Sequence, residues 1–241
     1  MVSASTIAQV YTDAQGGNGT ASYQLTGTVT DIISTNSTIN VFTFQDSTGS
    51  ILFYRIAKSV FTPVVGDNYT VNATDDAFEN SPEIANAGFS LDSTNSTGNT
   101  VTPTVLTIPQ FNASDNGTYG VAPNSEALVE LENVYLPSGT NSLATFTSYN
   151  LSDGSNTAVL YTYTSYTQVS AAVTAANGEP SGFLQAPLDI IGYSDPFYSA
   201  SSGGEAELYP IAFIAVPEPA SVGLLAGAAF AIMHRRARRM A

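Results

Sequence analysis

The sequence of 241 residues contains no cysteine and no tryptophan, and it has a single histidine. Without cysteine, the chain can form neither a disulfide bond nor a thiolate metal site. The histidine, His234, stands among arginines close to the C-terminus. Residues 1–215 therefore cannot hold a Ser-His-Asp or Cys-His catalytic arrangement, or a histidine-ligated metal. The one lysine, Lys58, does not lie in a glycine-rich turn, which excludes a phosphate-binding loop.

Positive charge is almost missing from most of the chain. Arg55 and Lys58 are the only basic residues within 1–215, which hold 19 of the 20 acidic residues. The formal net charge of the whole chain is −14. Affinity for nucleic acids comes mainly from lysine and arginine, which displace counterions from phosphates. We therefore expect no nucleic-acid partner.

The residues that are present indicate a folded β-rich protein. Charged residues make up only 11% of the chain, and serine, threonine, asparagine and glycine take their place on the surface. The apolar share is 43%, and 12 Phe and 13 Tyr supply material for a core, which argues against disorder. About 215 residues suit one large β-domain or two small ones.

Strand and turn patterns run along most of the chain. Residues 23–32 alternate, with Leu25, Gly27 and Val29 on one face. Residues 39–56 and 143–165 each predict an aromatic hairpin, with turns at Ser-Thr-Gly-Ser and Asp-Gly respectively. The only helix predicted before the C-terminal segment covers residues 170–177, which are rich in alanine and followed by glycine.

The two halves repeat the same order of elements. Each has a long first strand, a hairpin, a longer connection and a closing pair of strands, which resembles the strand order of the OB-fold barrel. We therefore predict a mainly β protein with two tandem five-stranded OB-like modules, at 23–92 and 126–216. Residues 1–22 precede them, and a linker rich in Ser, Thr and Asn joins them at 93–125. A β-sandwich or jelly roll is the alternative, because short strands with glycine turns also describe half a sandwich.

Carboxylates are the only groups left for catalysis. Four of them lie within nine residues, which predicts a solvated loop and, as the weaker alternative, a glycosidase-like pair (Asp75, Asp76, Glu79 and Glu83). The polar loops 115–120 and 152–156 could offer oxygen ligands to Ca²⁺. Neither loop has the spacing of a known calcium motif, so simple Asx or glycine turns are the favoured interpretation. We predict no enzyme activity and no cofactor, with Ca²⁺ as the exception to test.

Tyrosines form a short row in the second half. Tyr161 and Tyr163 lie on one face of a predicted strand, with Leu160 and Thr162 on the other. Tyrosine rings on an exposed sheet can stack on sugar rings, and the same pattern fits packing into a core. Tyr161 and Tyr163 are therefore candidates for contact with a glycan.

The C-terminal segment, residues 217–241, differs in character from all that precedes it. Pro217, Glu218 and Pro219 are followed by an uncharged run at 220–233. As a helix, this run would be about 21 Å long, against a hydrocarbon core of roughly 30 Å. A cluster of arginines then follows, of the kind that stays on the cytoplasmic side of a membrane (Arg235, Arg236, Arg238 and Arg239). We predict a short transmembrane helix here, which the long arginine side chains can extend.

This order of motif, apolar helix and arginine cluster resembles the PEP-CTERM sorting signal of Gram-negative bacteria. The resemblance covers about 26 residues, and the short helix is its one departure from the family. It implies export, a temporary hold in the inner membrane, and processing near Pro217, Glu218 and Pro219 by an exosortase-type membrane protease. The four arginines would act as stop-transfer charges. The family's members are commonly found with extracellular polysaccharide and biofilm.

Taken together, these features predict an exported protein of the cell surface or extracellular matrix, with a structural or adhesive role beside polysaccharide. Residues 1–15 lack the basic and apolar regions of a signal peptide, so we expect this sequence to start near a lost signal-peptide end. Two alternatives come from other classes. One is a secreted glycan hydrolase that uses carboxylates, and the other is a nucleic-acid-binding OB protein.

Overall fold

The computed structural model describes residues 4–14, 21–78, 81–114, 124–199 and 203–217. They form two β-sheets, of seven and six strands, with three short helices. The prediction of a mainly β protein is confirmed.

The first sheet closes on itself. Its elements, in chain order, are β1 (Ala4–Ser5), α1 (Ile7–Ala14), β2 (Ser22–Thr35), β3 (Ile39–Asp46), β4 (Gly49–Ala57), β5 (Asn68–Phe78), β6 (Ser81–Ala85) and β7 (Ser90–Ser96). Strand β2 pairs with both β3 and β5, so the order β2-β3-β4-β6-β5 returns to β2. Only the β4–β6 pair within this order is parallel. We call these five strands the first ring.

The second sheet has the same pairing order. Its elements are β8 (Thr104–Leu106), α2 (Ile108–Asn112), β9 (Leu128–Val134), β10 (Ser148–Ser152), β11 (Thr157–Tyr161), α3 (Thr167–Gly178), a 3₁₀ turn (Phe183–Gln185), β12 (Leu188–Ser199) and β13 (Gly203–Ala215). The strands run β10-β11-β13-β12-β9, with β11 and β13 parallel. Tyr135, just after β9, exchanges two backbone hydrogen bonds with Ser152 of β10. This bridge closes what we call the second ring.

The core of the first ring follows from the alternation in β2. Leu25 and Val29 are fully buried, and Gly27 lies between them on the same face. A Cβ atom on Gly27 would lie 2.5 Å from the backbone oxygen of Gln45, so the close approach of β3 requires glycine here. Stacked and tilted phenylalanine rings fill the rest of the interior, with Phe42 and Phe53 4.8 Å apart. The predicted inward face of this strand is confirmed.

The two rings share an apolar contact. Ile33, Val41 and Leu52 of the first sheet belong to the same buried cluster as the core of the second ring. A register shift between Val29 and Asp31 interrupts the alternation of β2, and Asp31 and Ile33 both lie beyond it. One strand therefore contributes to the core of the first ring at its start and to the contact with the second ring at its end.

Two predicted hairpins and the predicted helix are confirmed. Strands β3 and β4 meet at Ser47 and Thr48, and β10 and β11 enclose the turn at Asp153 and Gly154. The helix predicted at 170–177 appears as α3, which begins three residues earlier.

Helices α1 and α2 were not predicted. Each of these two helices buries at least two apolar side chains. Thr107 and Gln110 form a capping box at the start of α2. Residues 93–125, predicted as a linker, include β8 and α2, and Leu106, Ile108 and Phe111 lie in the second core. Tertiary packing stabilises these short elements, which intrinsic helix propensity alone would leave marginal.

Candidate functional site

Aromatic side chains form a continuous cluster at the end of β11. We call it the tyrosine face, and its members are Phe146, Tyr161, Tyr163, Tyr166 and Tyr209. The rings of Tyr161 and Tyr163 are close to parallel, 21° apart, with centroids separated by 6.0 Å. Tyr163 also meets Phe146 edge-on at 5.7 Å and Tyr166 at 4.8 Å. The cluster therefore offers both flat ring faces and ring edges.

The rings of the tyrosine face range from exposed to buried. Phe146 is 55% exposed, Tyr161 and Tyr163 are partly buried against the second core, and Tyr209 is buried. Leu160 and Thr162 are fully buried, so the predicted alternation in burial is confirmed, although β11 ends at Tyr161 and Tyr163 lies beyond the strand. A role in glycan contact stays a prediction.

The sequence pattern named only Tyr161 and Tyr163. It missed the other members because Phe146 and Tyr166 lie in connections and Tyr209 lies on the distant strand β13. The only signal available was the high local density of aromatic residues.

Thr162 fixes the loop that carries Phe146. Its hydroxyl lies 2.7 Å from the backbone oxygen of Ala144, and it accepts a hydrogen bond from the backbone N–H of Thr147 at 3.0 Å. The backbone N–H of Phe146 donates to the oxygen of Thr162 at 2.8 Å. Phe146 itself has a φ of 51°, a left-handed conformation that is uncommon for a bulky residue. The surrounding hydrogen bonds hold this large apolar ring at the surface, and such strain often marks a functional position.

The prediction of a solvated loop was wrong for Asp75, Asp76 and Glu83, which lie in two paired strands. Asp75 and Asp76 lie in β5, and Glu83 lies in β6 directly opposite Asp76. Asp75 is buried, and its carboxylate accepts a hydrogen bond from the backbone N–H of Ala21 at 3.0 Å. Strand pairing therefore places Asp75, Asp76 and Glu83 in a sheet, where Asp75 is buried, Glu83 is half-buried and Asp76 is exposed. Glu79 lies outside the described residues.

Glu83 faces other carboxylates. Its pKa is raised from 4.5 to about 7, mainly by burial and further by the negative charges of Asp76 and of Asp195, on β12 of the second sheet. Glu83 is therefore partly protonated near neutral pH. Its neighbours Leu52 and Tyr54 on β4 contact the second core, so Glu83 lies where the two rings meet.

The structure describes one of the two candidate calcium loops, residues 152–156. The carboxylate of Asp153 accepts hydrogen bonds from the backbone N–H groups of Ser155 and Asn156, at 2.8 Å and 2.7 Å. The side-chain amide of Asn156, which donates to the same carboxylate at 3.0 Å, is the main cause of the lowered pKa of Asp153, and the two backbone bonds add to it. Together these bonds define an Asx turn, as the favoured interpretation predicted. The loop 115–120 lies outside the described residues. Within the ranges the structure describes, no three His, Asp or Glu side chains are placed to hold a metal ion.

The last described residues, 216 and 217, lie directly before and at the start of the predicted sorting motif. Strand β13 ends at Ala215, and the N–H of Val216 donates to the oxygen of Pro187 at 3.2 Å. Pro217 follows and is exposed. Glu218 and Pro219, the predicted transmembrane helix at 220–233 and the four arginines lie outside the described residues. None of the helices that the structure does describe is long and apolar enough to cross a membrane.

No protein-family model matches this chain, and no curated protein matches it either. Function therefore has to be inferred from the residues of the C-terminal segment and from the geometry above.

Proposed function

We propose that this protein is exported and sorted through its C-terminal segment to the cell surface or extracellular matrix, where it has a structural or adhesive, non-enzymatic role. The observation that carries the proposal is the position of the motif. Among the described residues, the backbone hydrogen bond that lies nearest to the motif is donated by Val216, directly after β13, and Pro-Glu-Pro begins at the next residue. A protease that cut there would release the two rings with all their described strands intact.

The charges of the C-terminal segment support its sorting role. An exosortase-type protease in the membrane would recognise Pro217, Glu218 and Pro219. The uncharged run would lie in the bilayer, and the arginine cluster would stay on the cytoplasmic side. Residues 1–215, with only two basic residues, present few positive charges that would oppose passage across the membrane.

The pairing order supports two OB-like modules rather than a sandwich. In each ring the first strand lies next to the second and the fourth, and the third strand runs parallel to the fifth. This is the order of the OB-fold barrel, and α3 lies between the third and fourth strands of the second ring. Since the fold alone assigns no ligand, the scarcity of cations argues against nucleic acid as the partner.

The tyrosine face supports an adhesive role. Tyr161 and Tyr163 present two near-parallel rings, and Phe146 extends the apolar surface into solvent. Aromatic rings of this kind supply contact area with little loss of conformational freedom, because the surrounding packing already holds them. An extracellular polysaccharide is the partner we propose for this face.

Replacing Glu218 and Pro219 with alanine is expected to leave the protein in the membrane fraction, because the protease would lose its recognition motif. The measurement is fractionation of cells that carry an exosortase, with the intact mass of the protein from each fraction. The protein with its original motif should appear in the medium or matrix, with a mass that shows loss of the arginine cluster.

The control for this experiment is in the chain itself. Glu179 and Pro180 form the same dipeptide, exposed after α3 in the second ring. Alanine replacement at these positions should leave sorting unchanged. Cytosolic location of the unchanged protein, or equal release of both variants, would refute the proposal.

The second candidate is a carboxylate-dependent glycan hydrolase. The observation in its favour is the Asp76–Glu83 pair, in which one carboxyl has a pKa of about 7 beside a second acid. General acids of glycosidases are tuned in this way. We still expect no release of reducing sugar from polysaccharides by the unchanged protein. Turnover that is lost in Glu83→Gln but kept in Asp92→Asn, an exposed control, would establish the hydrolase instead.

A further inference from the structure

A large polar cleft lies on the outer surface of the first ring. Its volume is about 760 Å³, room for roughly 25 water molecules. One side is the outward face of β2, with Gln24, Thr26, Thr28 and Thr30 at alternate positions. Asn99, Thr100, Val101 and Thr102, in the connection from β7 to β8, and Thr104, the first residue of β8, line it as well. The cleft shares no residue with the tyrosine face.

The lining consists almost entirely of uncharged hydrogen-bonding groups. Thr100, Thr102 and Thr104 add further hydroxyls to the lining, whereas Thr30 of β2 is buried and its hydroxyl pairs with that of Thr43 at 2.7 Å. The side-chain amides of Gln24 and Gln45 make no hydrogen bond to any of the described residues. Thr28 accepts a bond from the Asn68 amide at 3.0 Å and keeps its own proton to donate. The cleft therefore holds many donors and acceptors and no basic side chain.

The one carboxylate in the lining is already engaged. Asp46 accepts hydrogen bonds from the backbone N–H of Ile7 at 2.9 Å, of Thr48 at 2.6 Å and of Gly49 at 3.1 Å. These bonds connect α1 to the turn between β3 and β4, so the carboxylate has a structural role. Among the described residues that line the cleft, no acid is left unengaged and none is basic, which favours ligands without charge.

The connecting segment is held in place at one end. The N–H of Gly98 donates to the Asp67 carboxylate at 2.9 Å, and the N–H of Asn99 donates to the oxygen of Gly66 at 2.8 Å. Gly66 has a φ of 86°, and a Cβ atom there would collide with the Asn99 oxygen. This contact requires glycine and fixes where the wall of the cleft begins. A preformed cleft binds with less loss of conformational entropy than one that must be ordered by its ligand.

We infer that this cleft binds a segment of uncharged polysaccharide through the amides of Gln24 and Gln45 and the threonine hydroxyls around them. Sugar hydroxyls both donate and accept, which matches neutral amides and hydroxyls. An apolar ligand would leave these polar groups unpaired, and an anionic ligand would meet a protein of net charge −14. The inference rests on the proposed function only for the source of the ligand, an extracellular polysaccharide.

The test is affinity electrophoresis of the purified protein in gels that contain dextran, galactomannan or, as an anionic probe, alginate. We expect retardation by at least one neutral polysaccharide and none by alginate. The double variant Gln24→Ala/Gln45→Ala should bind about tenfold more weakly, since it loses two hydrogen-bonding side chains. Thr102→Trp, which fills the cleft from an exposed segment, should abolish retardation.

Matched variants separate this cleft from the tyrosine face. Gln185→Ala removes an exposed amide from the second ring and should bind like the unchanged protein. Binding that is lost in Phe146→Ala/Tyr163→Ala and kept in the cleft variants would overturn the inference while leaving the proposed function intact. The inference would also be overturned, and the proposed function left intact, if the protein is sorted to the matrix but neither neutral polysaccharide retards it. Circular dichroism of each variant confirms that its strands are retained.

Discussion

Phe53→Ala is expected to lower the free energy of unfolding by about 3–5 kcal/mol. Phe53 is fully buried at the centre of the first ring. Its ring packs against Phe42, Phe44 and Phe89, with centroids 4.8, 5.1 and 5.9 Å away. Alanine would leave a cavity lined by rigid aromatic rings, which cannot collapse to fill it.

Urea unfolding followed by circular dichroism and tyrosine fluorescence measures this loss, since the chain has no tryptophan. Phe146→Ala removes the same side chain from an exposed position and should cost much less. Because Ile33, Val41 and Leu52 join the first sheet to the second core, we expect both rings to unfold in one transition. Equal stability of the two alanine variants would contradict the packing described for Phe53.

Asp31→Asn is expected to stabilise the protein by up to about 3 kcal/mol at pH values near 8. Asp31 is 5% exposed, and one of its carboxylate oxygens has no hydrogen-bond partner among the described residues. Burial raises its pKa from 3.8 to about 6, although hydrogen bonds from Gln168 and the Ile32 backbone oppose the rise. The folded protein therefore binds this proton more tightly than the unfolded chain does.

The sign of the pH dependence follows from that difference. The penalty from Asp31 is absent below about pH 3.8, grows as the pH rises, and is complete above about pH 6. Unfolding of Asp31→Asn should therefore differ from that of the unchanged protein near pH 8 and agree with it near pH 3. Asp92→Asn, at an exposed position, is the control. If Asp31→Asn stabilises the protein equally at both pH values, burial of the charge is not the cause of the stabilisation.

Local patterns were enough to locate many elements of this fold. The two hairpins were predicted because aromatic and β-branched residues flank short turns with glycine, and these signals act within a few residues. The inward face of β2 was predicted from its period of two. Helix α3 was predicted from alanine content and from the glycine at its end.

Local patterns failed where neighbours come from distant parts of the chain. The sequence predicted a solvated loop for Asp75, Asp76 and Glu83. Pairing of β5 with β6 places them in a sheet instead, and Glu83 lies near the carboxylate of Asp195 in the second ring. Helix α1 has eight residues and weak propensity, and it forms because Ile7, Val10 and Tyr11 are buried against the first ring. The polar cleft forms because the β2–β3 pairing places Gln45 opposite Thr28 and the connection after β7 lines the same cleft.

The sequence by itself determined composition and charge, and with them the exclusion of cysteine and histidine chemistry and the resemblance of residues 216–241 to a sorting signal. It also determined the alternation and the turns, because these depend on residues a few positions apart. Only the tertiary structure decided which rings stack around Phe146, how Asp31 is buried and which threonines line one cleft. Those outcomes depend on contacts between residues tens of positions apart, and no local pattern in the chain records which of them will meet.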